Sequence, residues 1–243
     1  MNRDRAIVIG VFAALLLLAN RTGSLGSDFF SIETLMYLVA LVPSIVLHEV
    51  SHGWVANKFG DPTAKLAGRL TLNPIRHIDP VGTVIVPMVL LLIGAPAFGW
   101  AKPVPVNVSQ MSRNRQVMVS LVGPFTNILL SLVATLAIAA SIKGFGSAGW
   151  WAVDLFVTFG VVNVALAVFN LIPVPPLDGS AIVERFIPKS KLSAYFRFRD
   201  KSIWVVMIVV VVLQMQFGII GRLIVPFQEW WLDLTKLVVG GVA

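Results

Sequence analysis

The chain has 243 residues, 57% of them hydrophobic and only 13% charged, with a mean hydropathy of +0.85, whereas ordinary soluble domains are about 45–50% apolar. Such a composition excludes a soluble globular domain and predicts an integral, multi-pass protein with the lipid bilayer around it. The formal charge of +7 sits in short connectors between apolar runs, where it reads as a topology signal and not as a nucleic-acid surface. The absence of cysteine removes disulfides, thiolate nucleophiles and cysteine metal sites.

In chain order, NRDR at 2–5 leads into an apolar run at 6–19. No small-x-small cleavage site follows it before Asn20, so an uncleaved first span is expected. Further apolar runs cover 35–56, 82–98, 116–141, 151–172 and 203–221, and a hydrocarbon core about 30 Å thick takes about 20 helical residues to cross. About six hydrophobic segments therefore predict an all-α polytopic membrane protein. It is expected to form a single membrane-embedded domain over 1–243, with its core at about 35–180. The connectors at 58–80 and 99–115 are rich in Pro, Gly and Asn and read as loops or short strands. Within the second, KPVPVN at 102–107 alternates prolines with β-branched residues, a pattern suited to an edge strand that can pair with an extended peptide. The tail at 222–239 sets Trp230 and Trp231 beside charges, as expected for a segment at the membrane interface.

The run HEVSH at 48–52 carries the chemistry. In a helix, positions i and i+4 share a face, so His48 and His52 can point their imidazoles at one ion while Glu49 projects about 100° away. That geometry suits zinc, which lowers the pKa of a water toward about 7, with a nearby carboxylate as general acid/base. The alternative is a chance pattern of core histidines. The chain holds only three His and four Glu, and ionisable groups within one turn of a spanning helix cost about 2.5–3.5 kcal/mol each on insertion scales unless compensated. Both points favour a metal site.

A catalytic zinc site usually takes three protein ligands. No other histidine lies in an apolar run, which leaves carboxylates. Asp178, in NLIPVPPLDG at 170–179, is one candidate, with a turn aspartate before glycine as its plainer reading. Asp154, near the start of a span after Trp150 and Trp151, and Asp79, in a polar connector, compete with it. Topology separates them. If 35–56 and 151–172 both run from outside to inside, Asp178 reaches the depth of the two histidines, and 82–98 must dip in without a net crossing. Fifteen of the 19 Lys and Arg then fall on the cytoplasmic side, as the positive-inside rule requires. The arrangement adds a small β/re-entrant element between the second and third core helices. Such a dip is tolerated where it is buried in protein or lines a wet cavity.

These residues resemble the site-2 protease family of intramembrane zinc metalloproteases over about residues 35–180. HEVSH resembles the family's zinc helix, and 170–179 matches its Asn-x-x-Pro-x-x-x-Leu-Asp-Gly signature in full. The segments NPIRHIDPVGT at 73–83, GWAKPVPVN at 99–107 and GPFTN at 123–127 resemble further parts of its bacterial and archaeal members. The resemblance implies Zn2+ as cofactor, Asp178 as third ligand and Asn170 near the scissile carbonyl. The minimal form is expected, without a PDZ or other appended domain.

By its chemistry, Asn170 offers an amide donor for an oxyanion, a contact often worth about 3–4 kcal/mol, against the plainer role of an interhelical hydrogen bond. Asn127 divides between helix packing and substrate contact. His77 stays outside the expected metal shell, and Ser51 has no evident base of its own. The expected function is hydrolysis of a peptide bond in or near the transmembrane helix of a membrane-protein substrate, as in regulated intramembrane proteolysis. The expected catalytic residues are Glu49 and Asn170, with His48, His52 and Asp178 on the metal. The expected location is the plasma membrane if the source is prokaryotic, with the site toward the cytoplasm. The rival is a membrane transporter or metal-handling protein, since buried His, Asp and Glu also mark ion pathways.

Overall fold

Long apolar runs in hydrocarbon satisfy their own backbone N–H and C=O groups only as helices or closed barrels, and that constraint sets the architecture. The structure, a computed structural model, describes residues 31–85, 101–107, 111–145, 149–188, 190–197 and 218–240. Its helices are α1 (Ile32–Lys58), α2 (Thr63–Leu66), α3 (Arg113–Phe145), α4 (Trp150–Leu171), α5 (Ser180–Phe186) and α6 (Ile219–Gly240). A 3-10 turn covers Pro74–His77, a π-helical turn covers Pro80–Ile85, and residues 190–197 are helical as well. Three helices, α1, α3 and α4, are long and apolar enough to cross a membrane, and they correspond to the runs at 35–56, 116–141 and 151–172. Large apolar side chains such as Leu38, Val39, Leu132 and Leu136 face outward on them, as a lipid-facing surface requires. The run at 6–19, and nearly all of those at 82–98 and 203–221, lie outside the described residues.

Local signals set the helix ends. The Ser31 hydroxyl accepts from Thr34 N–H (3.2 Å) at the start of α1, an N-cap. Gly60, at φ +98°, ends it, and Asp61 N–H reaches back to the Ala56 carbonyl (3.0 Å). Only a residue at ease with positive φ closes a helix in this way. Helix α4 stops at Leu171 because Ile172 precedes Pro173, a position driven out of the helical region, and its ψ of 127° is extended.

The chain divides into two compact units, one comprising Met1–Leu35 and Asn73–Pro103, the other Met36–Leu72 and Val104–Ala243. In the first, Asn73 Oδ1 accepts from Ile75 N–H (3.0 Å) to start the 3-10 turn, and Asp79 Oδ1 accepts from Gly82 N–H (2.7 Å). In the second, the core is built where α3, α4 and α6 meet, around Ala134, Ile138, Val164 and Trp231.

Two expectations change here. Among the described residues there is no strand, and 101–107 form no regular structure. Pro103 and Pro105 supply no donors, while the N–H groups of Val104 and Asn107 go to the carboxylates of Glu49 (2.8 Å) and Asp61 (2.6 Å) instead of a ladder. The tail also does more than lie at an interface. Trp231 is only 2% exposed, because Gly160 lacks the Cβ that would collide with the indole. Its Nε1–H donates to the Ser131 carbonyl (3.2 Å), and the Thr135 and Thr235 hydroxyls pair at 2.9 Å. Trp230 stays on the outside.

Candidate metal centre

Helix α1 presents His48 and His52 one turn apart, both buried. Opposite them runs the part of α3 that contains Gly123 and Pro124. A Cβ at Gly123 would lie 2.6 Å from His48 Cε1 and Nε2 and closer still to His52 Nε2, so only glycine lets the α3 backbone come this near. Pro124 removes the donor that would meet the Ser120 carbonyl and crowds the preceding turn. That turn supplies the Val119 carbonyl, which accepts from His52 Nδ1 at 2.7 Å.

Asp178 arrives from the loop after α4. Pro173, Pro175 and Pro176 forbid continued helix, and Gly179 N–H folds back to the Asn170 carbonyl (2.7 Å). A Cβ at Gly179 would strike the Leu171 backbone. Arg113, at the start of α3, holds the far end of α5 through Nη1 to the carbonyls of Arg185 (3.1 Å) and Ile187 (2.5 Å). The loop is thus fastened on both sides of Asp178. Its Oδ2 lies 3.1 Å from His48 Nε2 and 3.3 Å from His52 Nε2, and the two Nε2 atoms are 3.1 Å apart.

Hydrogen bonding decides what these three atoms are. A backbone carbonyl only accepts, so His52 carries its proton on Nδ1. His48 Nδ1 faces Asn127 Oδ1 at 2.5 Å, which likewise only accepts. In the neutral imidazoles that bind a metal, both Nε2 atoms are therefore lone-pair donors, and they converge on the buried Oδ2 of Asp178. Three electron-pair donors at this spacing repel unless a proton or a metal ion joins them. Their separations match the edge of about 3.3 Å expected for N and O ligands at about 2.0–2.1 Å around a tetrahedral zinc. Among the described residues, His48, His52 and Asp178 form the group of His, Asp or Glu able to hold a metal ion.

The other expected residues fall as follows. Glu49 is half-buried beside the histidines, its Oε2 accepting from Val104 N–H. Asn170 sits in the last turn of α4 with Nδ2 donating to the Leu166 carbonyl (2.9 Å), which occupies one of its two amide protons. Ser51 donates to the His48 carbonyl (2.6 Å), a bond internal to the helix. Asp154 is exposed near the other end of α4, about 24 Å along the helix from Asn170 at 1.5 Å per residue. Asp79 caps a turn in the first unit, and His77, in the same unit, is buried with its carbonyl accepting from Lys102 N–H (2.9 Å).

Asn127 resolves as the partner of His48. Behind it lie Asn163 and Ser44, which sequence reasoning passed over. The Asn127 Nδ2 donates to Asn163 Oδ1 (2.8 Å), Asn163 Nδ2 donates to Ser44 Oγ (2.8 Å), and Ser44 donates to the Ala40 carbonyl (2.7 Å). The signal was an asparagine in the middle of an apolar span, a costly placement in lipid.

A buried two-histidine, one-carboxylate cluster beside helices long and apolar enough to cross a membrane defines the class as candidate metal-binding membrane proteins. The family model described as Peptidase family M50 matches residues 141–214, which include Asn170 and Asp178. YwhC of Bacillus subtilis is 40% identical over 167 residues, covering 66% of this chain and 73% of that protein. Rip2 of Mycobacterium tuberculosis is 34% identical over 151 residues, 61% of this chain and 56% of that protein. MJ0392 of Methanocaldococcus jannaschii is 24% identical over 159 residues, 65% of this chain and 36% of that protein. The names of all three describe zinc metalloproteases, and this chain spans only about half of Rip2. No solved structure matches. The chain belongs to peptidase family M50, the site-2 protease family of zinc metalloproteases, with Zn2+ as its cofactor.

Proposed function

We propose that this protein hydrolyses a peptide bond within or beside the transmembrane segment of another membrane protein, with His48, His52 and Asp178 holding Zn2+. The observation that carries the reading is the meeting of three possible ligand atoms, His48 Nε2, His52 Nε2 and Asp178 Oδ2, within 3.1–3.3 Å. The histidines belong to a helix with large apolar side chains on its outer face, and Asp178 to the loop that follows another such helix. Bound there, Zn2+ supplies Lewis acidity toward the scissile carbonyl and acidifies water.

Glu49 is the general acid/base. It takes a proton from the attacking water and returns it to the leaving amine, a contribution of about 10²–10⁴-fold in rate. The Val104 N–H on Oε2 fixes its carboxylate. Asn170 keeps one amide proton beyond its bond to Leu166, and that donor is assigned to the developing oxyanion. The irregular stretch at 102–107, with its prolines, is suited to hold substrate unwound, since a helix hides its amide bonds. The concentration of Lys and Arg in the connectors supports a site facing the cytoplasm of a multi-pass plasma-membrane protein.

The test uses purified protein in detergent with a model single-span substrate. Cleavage is expected to require zinc and to collapse in Glu49→Gln while zinc stays bound. Undiminished cleavage by Glu49→Gln would refute the reading.

A further inference from the structure

We propose that Asn163 is a positioning residue for the metal centre: anchored on a backbone carbonyl, it orients Asn127 so that His48 keeps its proton on Nδ1 and turns the Nε2 lone pair to the metal. The proposal rests on the reading of His48 as a zinc ligand.

Atoms that can only accept fix the direction of the bonds. Asn163 Nδ2 lies 2.8 Å from the Phe159 carbonyl and 2.8 Å from Ser44 Oγ. The Phe159 carbonyl has no proton to give, so the NH2 end of Asn163 must face it. Ser44 agrees, since its own proton is committed to the Ala40 carbonyl at 2.7 Å. Asn163 Oδ1 must then point the other way, toward Asn127 at 2.8 Å. There it accepts from the NH2 end of Asn127. That leaves Asn127 Oδ1 for His48 Nδ1, at 2.5 Å, and a carbonyl oxygen there requires a proton on the ring nitrogen.

The chain of bonds therefore has one direction, set at Phe159 and Ala40 and read out at His48. Ser44, Asn127 and Asn163 are each 0% exposed, so bulk water does not exchange with any link. His52 needs no such relay, because a backbone carbonyl, that of Val119, meets its Nδ1 directly. His48 has only a side-chain amide, and an amide turned by 180° would present NH2 instead. The ring would then place its proton on Nε2, where it would block the metal.

With leucine at 163, nothing accepts from the Asn127 amide, and the turned orientation becomes accessible. Partners that orient a ligating histidine typically change metal affinity by roughly 10- to 100-fold. An Asp at 127 has no donor end when ionised, so it enforces the Nδ1 proton whatever occupies 163. A role in packing alone would not be repaired by that exchange.

The experiment measures Zn2+ affinity of the full chain in detergent by chelator competition, together with side-chain 15N spectra of His48 in metal-free protein. Asn163→Leu is expected to weaken zinc roughly 10- to 100-fold, and Asn127→Asp in that background to restore it to within about threefold, with the wild-type His48 proton on Nδ1. Wild-type affinity in Asn163→Leu, or failure of Asn127→Asp to restore it, overturns the proposal. So does a His48 ring in the metal-free wild type that carries its proton on Nε2 and none on Nδ1, a result that needs no variant to fold. His48→Ala separates the two readings. Unchanged zinc affinity there sinks the ligand assignment itself, whereas loss there beside an intact Asn163→Leu sinks only the relay.

Discussion

Helix α3 meets a ring system in each of its halves, and the two meetings are built alike but end differently. In the half around Gly123, the imidazoles of α1 approach a backbone that has no Cβ in their way. In the half around Ser131–Ile138, the indole of Trp231 reaches α3 across Gly160 of α4, again through a missing Cβ. Small residues that admit a neighbour are a general device of membrane helices. At Trp231 every polar group nearby is paired off, Nε1–H with Ser131 and Thr135 with Thr235. At the histidines the Nδ1 atoms are paired off and the Nε2 atoms are left facing a carboxylate. Close packing is common to both regions. What separates the candidate metal centre from a packing core is that its ring nitrogens converge on a carboxylate.

The sharpest way to break this comparison is to fill the two glycines. Gly123→Ala is expected to abolish zinc binding, because its methyl group would occupy the space of the His48 and His52 rings. Gly160→Ala should lower thermal stability while zinc still binds. Metal analysis of both purified variants, alongside unfolding curves, reads the difference.

Next in size is Glu49→Gln, expected to reduce cleavage by about 10²–10⁴-fold with zinc retained. Trp231→Ala should do the reverse. It is expected to cost about 3–5 kcal/mol of stability, seen in unfolding, with zinc affinity unchanged.

The smallest effect concerns the connector that steadies 104–107. Burial raises the Asp61 pKa, but hydrogen bonds from the Thr63 hydroxyl and N–H and from Asn107 N–H outweigh it and hold the group below its ordinary value. A depressed folded-state pKa gives stability that is present above the unfolded value of about 3.9 and is lost as pH falls through the folded one. Asp61→Asn should remove that part of the acid sensitivity and leave stability above pH 5 lower by about 1 kcal/mol. Unfolding measured against pH checks both.

The candidate ligands were legible in the sequence because their spacing is a property of one helix and one loop signature. His48 and His52 follow from i, i+4, and Asp178 from its match in depth and its Leu-Asp-Gly context. Asn163 and Ser44 were hidden because a polar residue in a span reads equally as interhelical glue, and only the bonded chain to His48 gives it a direction. Trp231 was indistinguishable from Trp230, since both flank the same charges. It took Gly160, 71 positions earlier in the chain, to decide which ring was buried. The alternating prolines of 102–107 suggested an edge strand, but two side-chain carboxylates took the donors that a strand would have used.

The most direct test of the account is X-ray absorption at the zinc edge of the loaded protein. It predicts two imidazole nitrogens at about 2.0–2.1 Å with oxygen completing the shell, and one imidazole in His52→Ala. An unchanged imidazole signature in both His48→Ala and His52→Ala would contradict it, because zinc would then lie elsewhere in the chain.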